Sequence, residues 1–181
     1  FVWNRFCDWF LEFAKPVFNS ANDQEAAEIR AVAGHVLGVI LRLLQPVVPF
    51  VTDTLWHEFG FGEEGSLIAA QWHEPIAPTG ADEAVAECEQ IIRLITEIRT
   101  VRAEMNVPPS QTAPVLLKDA APLTLERIGR WQEAICRMAR VTQTSPLAGD
   151  IPKGSAQAVV DEATVIIPLE GLIDLAVERE R

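Results

Sequence analysis

Apolar residues recur every three or four positions along the first hundred residues, and that spacing predicts helices. Val2, Trp3, Phe6, Trp9, Phe10 and Phe13 line one broad face of a first segment that Pro16 limits. A second helix is predicted from Asp23, an expected N-cap, to Leu44, apolar around most of its circumference in its second half. Gly34 and Gly38 lie one turn apart there, which predicts a close helix approach. Pro46 and Pro49 break the pattern, and Thr52 is expected to cap a short helix through Phe59. Residues 60–80, rich in glycine and proline, read as a long connection. A third long helix is predicted over Ala81 to Met105. Ala84, Cys88, Ile91, Ile95, Ile98 and Val101 form its expected buried stripe, with Glu89, Arg93 and Glu97 pairing along its surface.

Pro108 and Pro109 stop that helix, and the period then changes. Ala113 to Lys118 reads as a short strand and Leu123 to Arg140 as an amphipathic helix. Ala156 to Val160 and Thr164 to Leu169 alternate about Asp161-Glu162 as a hairpin. A last helix is expected from near Gly171 onward. The expected fold is therefore mainly α: an antiparallel helical bundle over residues 1–106 with a small β-α-β-β appendage over 107–181.

Composition narrows the class. With 49% hydrophobic and 23% charged residues among 181, the chain has the make-up of a globular protein. Its longest apolar stretch, Ala31 to Leu44, contains His35 and Arg42 and falls short of the ~20 residues a membrane span needs. The three cysteines, Cys7, Cys88 and Cys136, are widely spaced without a C-x-x-C pair, and free thiols in a cytoplasmic protein are expected. A net charge of −11 weighs against a nucleic-acid partner unless basic residues are gathered locally. The chain begins with Phe inside a helical pattern, which reads as a piece of a longer protein.

Motifs for local chemistry are missing. Gly60-Phe61-Gly62-Glu63-Glu64-Gly65 matches a dinucleotide fingerprint by letter, yet a helix precedes it, none follows, and its glutamates would repel phosphate. His57-Glu58 and His73-Glu74 each lack the second histidine of a zinc helix, since Phe61 and Ala77 fill those positions. No catalytic residue, metal site or cofactor is expected in this chain. The basic residues remain. Arg93, Arg99 and Arg102 cluster late in the third long helix, the last two one turn apart with Asn106 just beyond. Arg130, Arg137 and Arg140 share a face with Glu126 and Glu133, and a solvated face of ion pairs is the expectation there.

Several segments resemble one family in order along nearly the whole chain. "FVWNRFCDWFLEFAKP" (Phe1 to Pro16) resembles the aromatic helix that follows the catalytic core in valine–tRNA ligases. "LRLLQPVVPFVTDTLW" (Leu41 to Trp56) is similar to that family's helix–proline–proline–helix segment. Ser66 to Trp72 has its extended run ending in tryptophan. "IRTVRAEMNVPPSQTAPVLL" (Ile98 to Leu117) is the most specific stretch, since R-x-x-R-x-E-M-N-V-P-P separates the valine enzymes from the leucine and isoleucine ones. Gln45 stands where the family usually has His, and Phe10 where Tyr is common. Both are packing positions.

The resemblance implies a class I synthetase anticodon-binding bundle, with ATP-site signatures and an editing domain upstream and a coiled coil downstream of "VIIPLEGLIDLAVERER" (Val165 to Arg181). It implies ATP and magnesium for the parent enzyme, monomeric in the cytoplasm and away from membranes, and for this piece the anticodon arm of a valine tRNA together with the rest of its own polypeptide. Arg99, Arg102, Arg93 and Asn106 are the expected tRNA contacts. The same module from an isoleucine or leucine enzyme, or a helical scaffold with no RNA role, is the alternative.

Overall fold

The computed structural model describes residues 1–18, 23–61, 65–76 and 78–170. They form two compact units, Phe1–Ala77 and Pro78–Arg181.

In the first unit a π-helical segment, Val2–Phe10, runs into α1 (Leu11–Phe18), which carries Pro16 within it. The helix α2 (Asp23–Leu44) is followed by α3 (Pro49–Glu58). Pro49 is the first residue of α3, where its missing N–H costs no helical hydrogen bond. Thr52 is thus not the cap that was expected. It lies inside α3, and its hydroxyl donates to the carbonyls of Val48 (2.9 Å) and Pro49 (3.1 Å). Leu41, Trp56 and Leu67 form a buried cluster with Leu37, Leu55, Phe61 and Ala70 packed around it. Gly38 has the expected close neighbour, though it is a side chain: a Cβ there would meet the Phe61 ring at 3.4 Å. Gly34 has nothing within 4 Å.

The second unit is built on a sheet. It begins with α4 (Ala81–Glu104) and continues through β1 (Ala113–Lys118), α5 (Pro122–Arg130), α6 (Gln132–Ala139), β2 (Val141–Pro146), β3 (Ser155–Val160) and β4 (Ala163–Pro168). The strand order is β2-β1-β4-β3. β1 and β2 are parallel, joined through α5 and α6, with a shift in register between Ala113 and Val115. β4 runs antiparallel to both β1 (Leu116 opposite Ile166) and β3 (Val159 opposite Thr164). Alternation buries Ala113, Val115 and Leu117 of β1, whereas the consecutive Val165, Ile166 and Ile167 of the interior strand β4 are all buried.

These findings correct the expected fold. The protein is α/β: a four-stranded mixed sheet organises the larger unit, where a mainly α bundle with a small appendage was expected. The helix α4, grouped with the bundle on its helical period, packs against β3 and α6 instead. Its stripe starts later than its spacing implied. Ala84 is exposed and Cys88 half-buried, whereas Ile91, Ile95 and Ile98 are fully buried. The single helix expected over Leu123 to Arg140 is two, parted at Trp131. The sheet also has a strand beyond the β-α-β-β reading, β2, whose sequence VTQTSP carries one buried residue, Val141. The hairpin about Asp161-Glu162 is present, with Asp161 at φ 53°. The helix expected from Gly171 lies outside the described residues.

Candidate nucleic-acid interface

The helix α4 ends in a tight cap. Asn106 adopts φ 53°, its N–H reaches the Ala103 carbonyl at 3.1 Å, and the Val107 N–H reaches the Arg102 carbonyl at 2.9 Å. This is a Schellman closure with Asn in the left-handed position that Gly usually fills. Val107 is buried next to it, and the chain turns through Pro108 and Pro109, the Gln111 N–H closing onto the Pro108 carbonyl at 3.0 Å.

Arg102 lies beneath that turn. It is 6% exposed, and its Nη2 donates to the carbonyls of Gln111 (2.6 Å) and Pro108 (3.5 Å). Its Nη1 and the Gln111 Oε1 are both buried without a partner. Burial, and after it the nearby charge of Arg140, holds this guanidinium below its ordinary pKa. Arg99, one turn earlier on α4, is exposed and donates from Nε to the Met138 carbonyl at 2.9 Å, in the last turn of α6. Arg140 caps α6 in the left-handed conformation at φ 54°, is exposed, and donates from Nη1 to the Pro109 carbonyl. Two helix C-termini and one proline turn thus gather three arginines, each on backbone carbonyls, the dipole ends that favour cations.

Arg93, Arg127 and Arg130 of this unit meet carboxylates. Arg93 forms a two-pronged pair with Asp161, and that hydrogen-bonded partner holds the guanidinium above its ordinary pKa. Arg130 grips Glu87 with Nε (3.1 Å) and Nη2 (2.6 Å) and bonds Glu126 through Nη1. The Arg130 hydrogen bond chiefly, and that from Trp131 Nε1 at 2.8 Å, hold the Glu87 carboxyl below its usual range. Arg127 donates to the side chain of Gln90, which donates to Thr124, whose hydroxyl donates to Glu162 at 2.5 Å.

Of the four expected contacts, Arg99 and Arg102 are brought together. Arg93 is occupied at the β3–β4 turn, and Asn106 serves as a helix cap. Sequence reasoning missed Arg140, which it placed with Arg130 and Arg137 on a solvated face. Its carbonyl partner is 31 residues away in the chain, and no local pattern signals such a contact. The first unit, by itself, carries exposed aromatic side chains, Phe50, Phe59 and Trp72, and an Arg42 guanidinium 4.6 Å above the Trp56 ring. Among the described residues no helix is long and apolar enough to cross a membrane, and no group of three metal-ligating side chains is found.

Residues 1–117 match the family described as the anticodon-binding domain of tRNA ligase. The whole chain aligns with proteins named valine–tRNA ligase, at 60% identity in Gluconobacter oxydans strain 621H and 57% in Granulibacter bethesdensis, each time over all of this chain and 20% of the relative. The one from Mesorhizobium japonicum is 46% identical over the same shares. The chain therefore spans about one fifth of the length of the relatives it matches. The proline turn and its arginines lie within the matched residues but for Arg140, and the chain belongs to the anticodon-binding domain family of tRNA ligases.

Proposed function

We propose that this chain is the part of a valine–tRNA ligase that holds the anticodon arm of its tRNA while another part of the enzyme attaches valine. The family match over residues 1–117 carries the reading, and the shared name of the relatives favours valine over isoleucine or leucine and over a scaffold without RNA. The parent would use ATP and magnesium and work in the cytoplasm as a monomer; among the described residues there is neither a nucleophile with its base nor a loop for ATP phosphates. Unstacked anticodon bases suit exposed aromatic faces such as Phe50 and Trp72, and the backbone suits exposed arginines. Within the expected set Arg99 is the contact the geometry supports best. Arg102 acts from underneath, while Arg93 and Asn106 hold the fold.

At a net charge of −11 the isolated chain should bind weakly and lose affinity steeply with salt. The test is titration of a valine-tRNA anticodon stem-loop into the chain between low and physiological salt, beside a stem-loop with a scrambled anticodon. Preferential binding of the first supports the reading, and equal or no binding refutes it. Valine-dependent pyrophosphate exchange by the same preparation should stay at background.

A further inference from the structure

A carbonyl and a carboxylate orient a guanidinium equally well, but a carbonyl leaves its charge in place. Around Glu87 and Asp161 the arginines of the second unit are largely neutralised. At the Pro108–Gln111 turn they are not. Among the described residues Arg102 and Arg140 hydrogen-bond only to backbone carbonyls, and the Arg140 charge lies close enough to disfavour that of Arg102. The carbonyls offset part of the repulsion between these two cations and leave both charges in place. An anion would neutralise them.

Reach decides which group can meet that anion. Arg102 is sealed beneath the turn and cannot touch a ligand without the turn opening. Arg140 is exposed, its backbone fixed by the helix cap and one guanidinium nitrogen fixed on Pro109. Arg99 is exposed beside it, anchored on Met138, two residues before Arg140. Both side chains are thus pre-oriented, which reduces the rotamer entropy lost on binding. We propose that Arg140 and Arg99 form a clamp for the phosphate backbone of RNA, and that Arg102 is a positioning residue that holds the Pro108–Gln111 turn against which Arg140 is braced. The proposal rests on the tRNA reading above and adds a contact from outside the residues the family model matches.

The experiment measures the affinity of the 181-residue chain for the valine-tRNA anticodon stem-loop across a salt series, with variants checked for folding by circular dichroism. Arg140→Gln and Arg99→Gln should each flatten the slope of log affinity against log salt by about 0.7–0.9, the signature of one lost phosphate contact. Arg140→Lys keeps a cation and should keep the slope. Arg130→Gln, which removes an arginine already neutralised by Glu87 and Glu126, should not change it. If Arg102 acts through Arg140, the slope of the Arg102→Met/Arg140→Gln double variant should equal that of Arg140→Gln alone; additive losses would overturn the positioning role. An unaltered chain that binds RNA while Arg140→Gln and Arg99→Gln keep its slope overturns the clamp and leaves the tRNA reading standing. An unaltered chain that binds no stem-loop takes down that reading, and the clamp with it.

Discussion

Arg93 and Asp161 meet fork to fork, Nε to Oδ1 at 3.0 Å and Nη2 to Oδ2 at 2.9 Å, tying the middle of α4 to the turn between β3 and β4. The pair explains why an arginine set among others in sequence is no loose cation. It also sets a modest expectation. Arg93 is 51% exposed and Asp161 30%, and pairs of this kind contribute about 0–1 kcal/mol. Arg93→Gln should shift the urea midpoint slightly and leave the salt slope of RNA binding unchanged; a flattened slope would return Arg93 to the phosphate contacts.

The buried stripe of α4 is a sharper lever. Ile95 is 0% exposed, so Ile95→Ala should cost about 2–5 kcal/mol. Chemical denaturation measures it, and a near-neutral result would contradict the packing of α4 on the sheet.

Thr124 is a buried relay that accepts from Gln90 at 3.0 Å and donates to Glu162 at 2.5 Å. Thr124→Val keeps the shape but strands both partners, and should cost about 1–3 kcal/mol. Thr124→Ser, which keeps the hydroxyl, should recover most of that loss.

Stability should fall with acid in a defined window. The Arg130 hydrogen bond lowers the pKa of Glu87, and the Thr124 hydrogen bond lowers that of Glu162. A depressed carboxylate contributes stability that is complete above its unfolded value of about 4.3 and is lost as the pH drops through its folded value. Thermal melts should hold steady from pH 7 to about 5 and then decline. Glu162→Gln should melt lower at neutral pH and decline less steeply. An equally steep decline would mean that other carboxylates govern it.

Asn106 tests the helix cap. Asn106→Gly suits φ 53° and should be nearly neutral, whereas Asn106→Val should lose about 1–2 kcal/mol for the branched side chain in the left-handed region.

Much of this was legible in the sequence, for identifiable reasons. Helices show through spacing, so α2 and α4 fall where the apolar period put them, and the β3–β4 hairpin shows through alternation around Asp161-Glu162. What a period does not carry is the partner. The stripe Ile91–Ile95–Ile98 reads the same whether helices or a sheet cover it, and so α4 was assigned to a bundle. β2 escaped because an edge strand needs little apolar surface, and VTQTSP has little. At the candidate site Arg99 and Arg102 stood out by their one-turn spacing. Their division into an exposed and a sealed arginine depends on a turn closing over the second, and the place of Arg140 depends on a contact far along the chain.

The strand order β2-β1-β4-β3 puts the first strand made in the interior of the sheet. As the chain leaves a ribosome, β1 emerges before both of its neighbours, and β4 comes after everything else in the sheet. Until residue 168 is out, one side of β1 has bare N–H and C=O groups, and the apolar stripe of α4 lies over an unfinished surface. The family match ends at residue 117, one short of the end of β1. A polypeptide trimmed to the matched residues would keep α4, lose α5, α6, β2, β3 and β4, and offer an unpaired strand to whatever other chain it met.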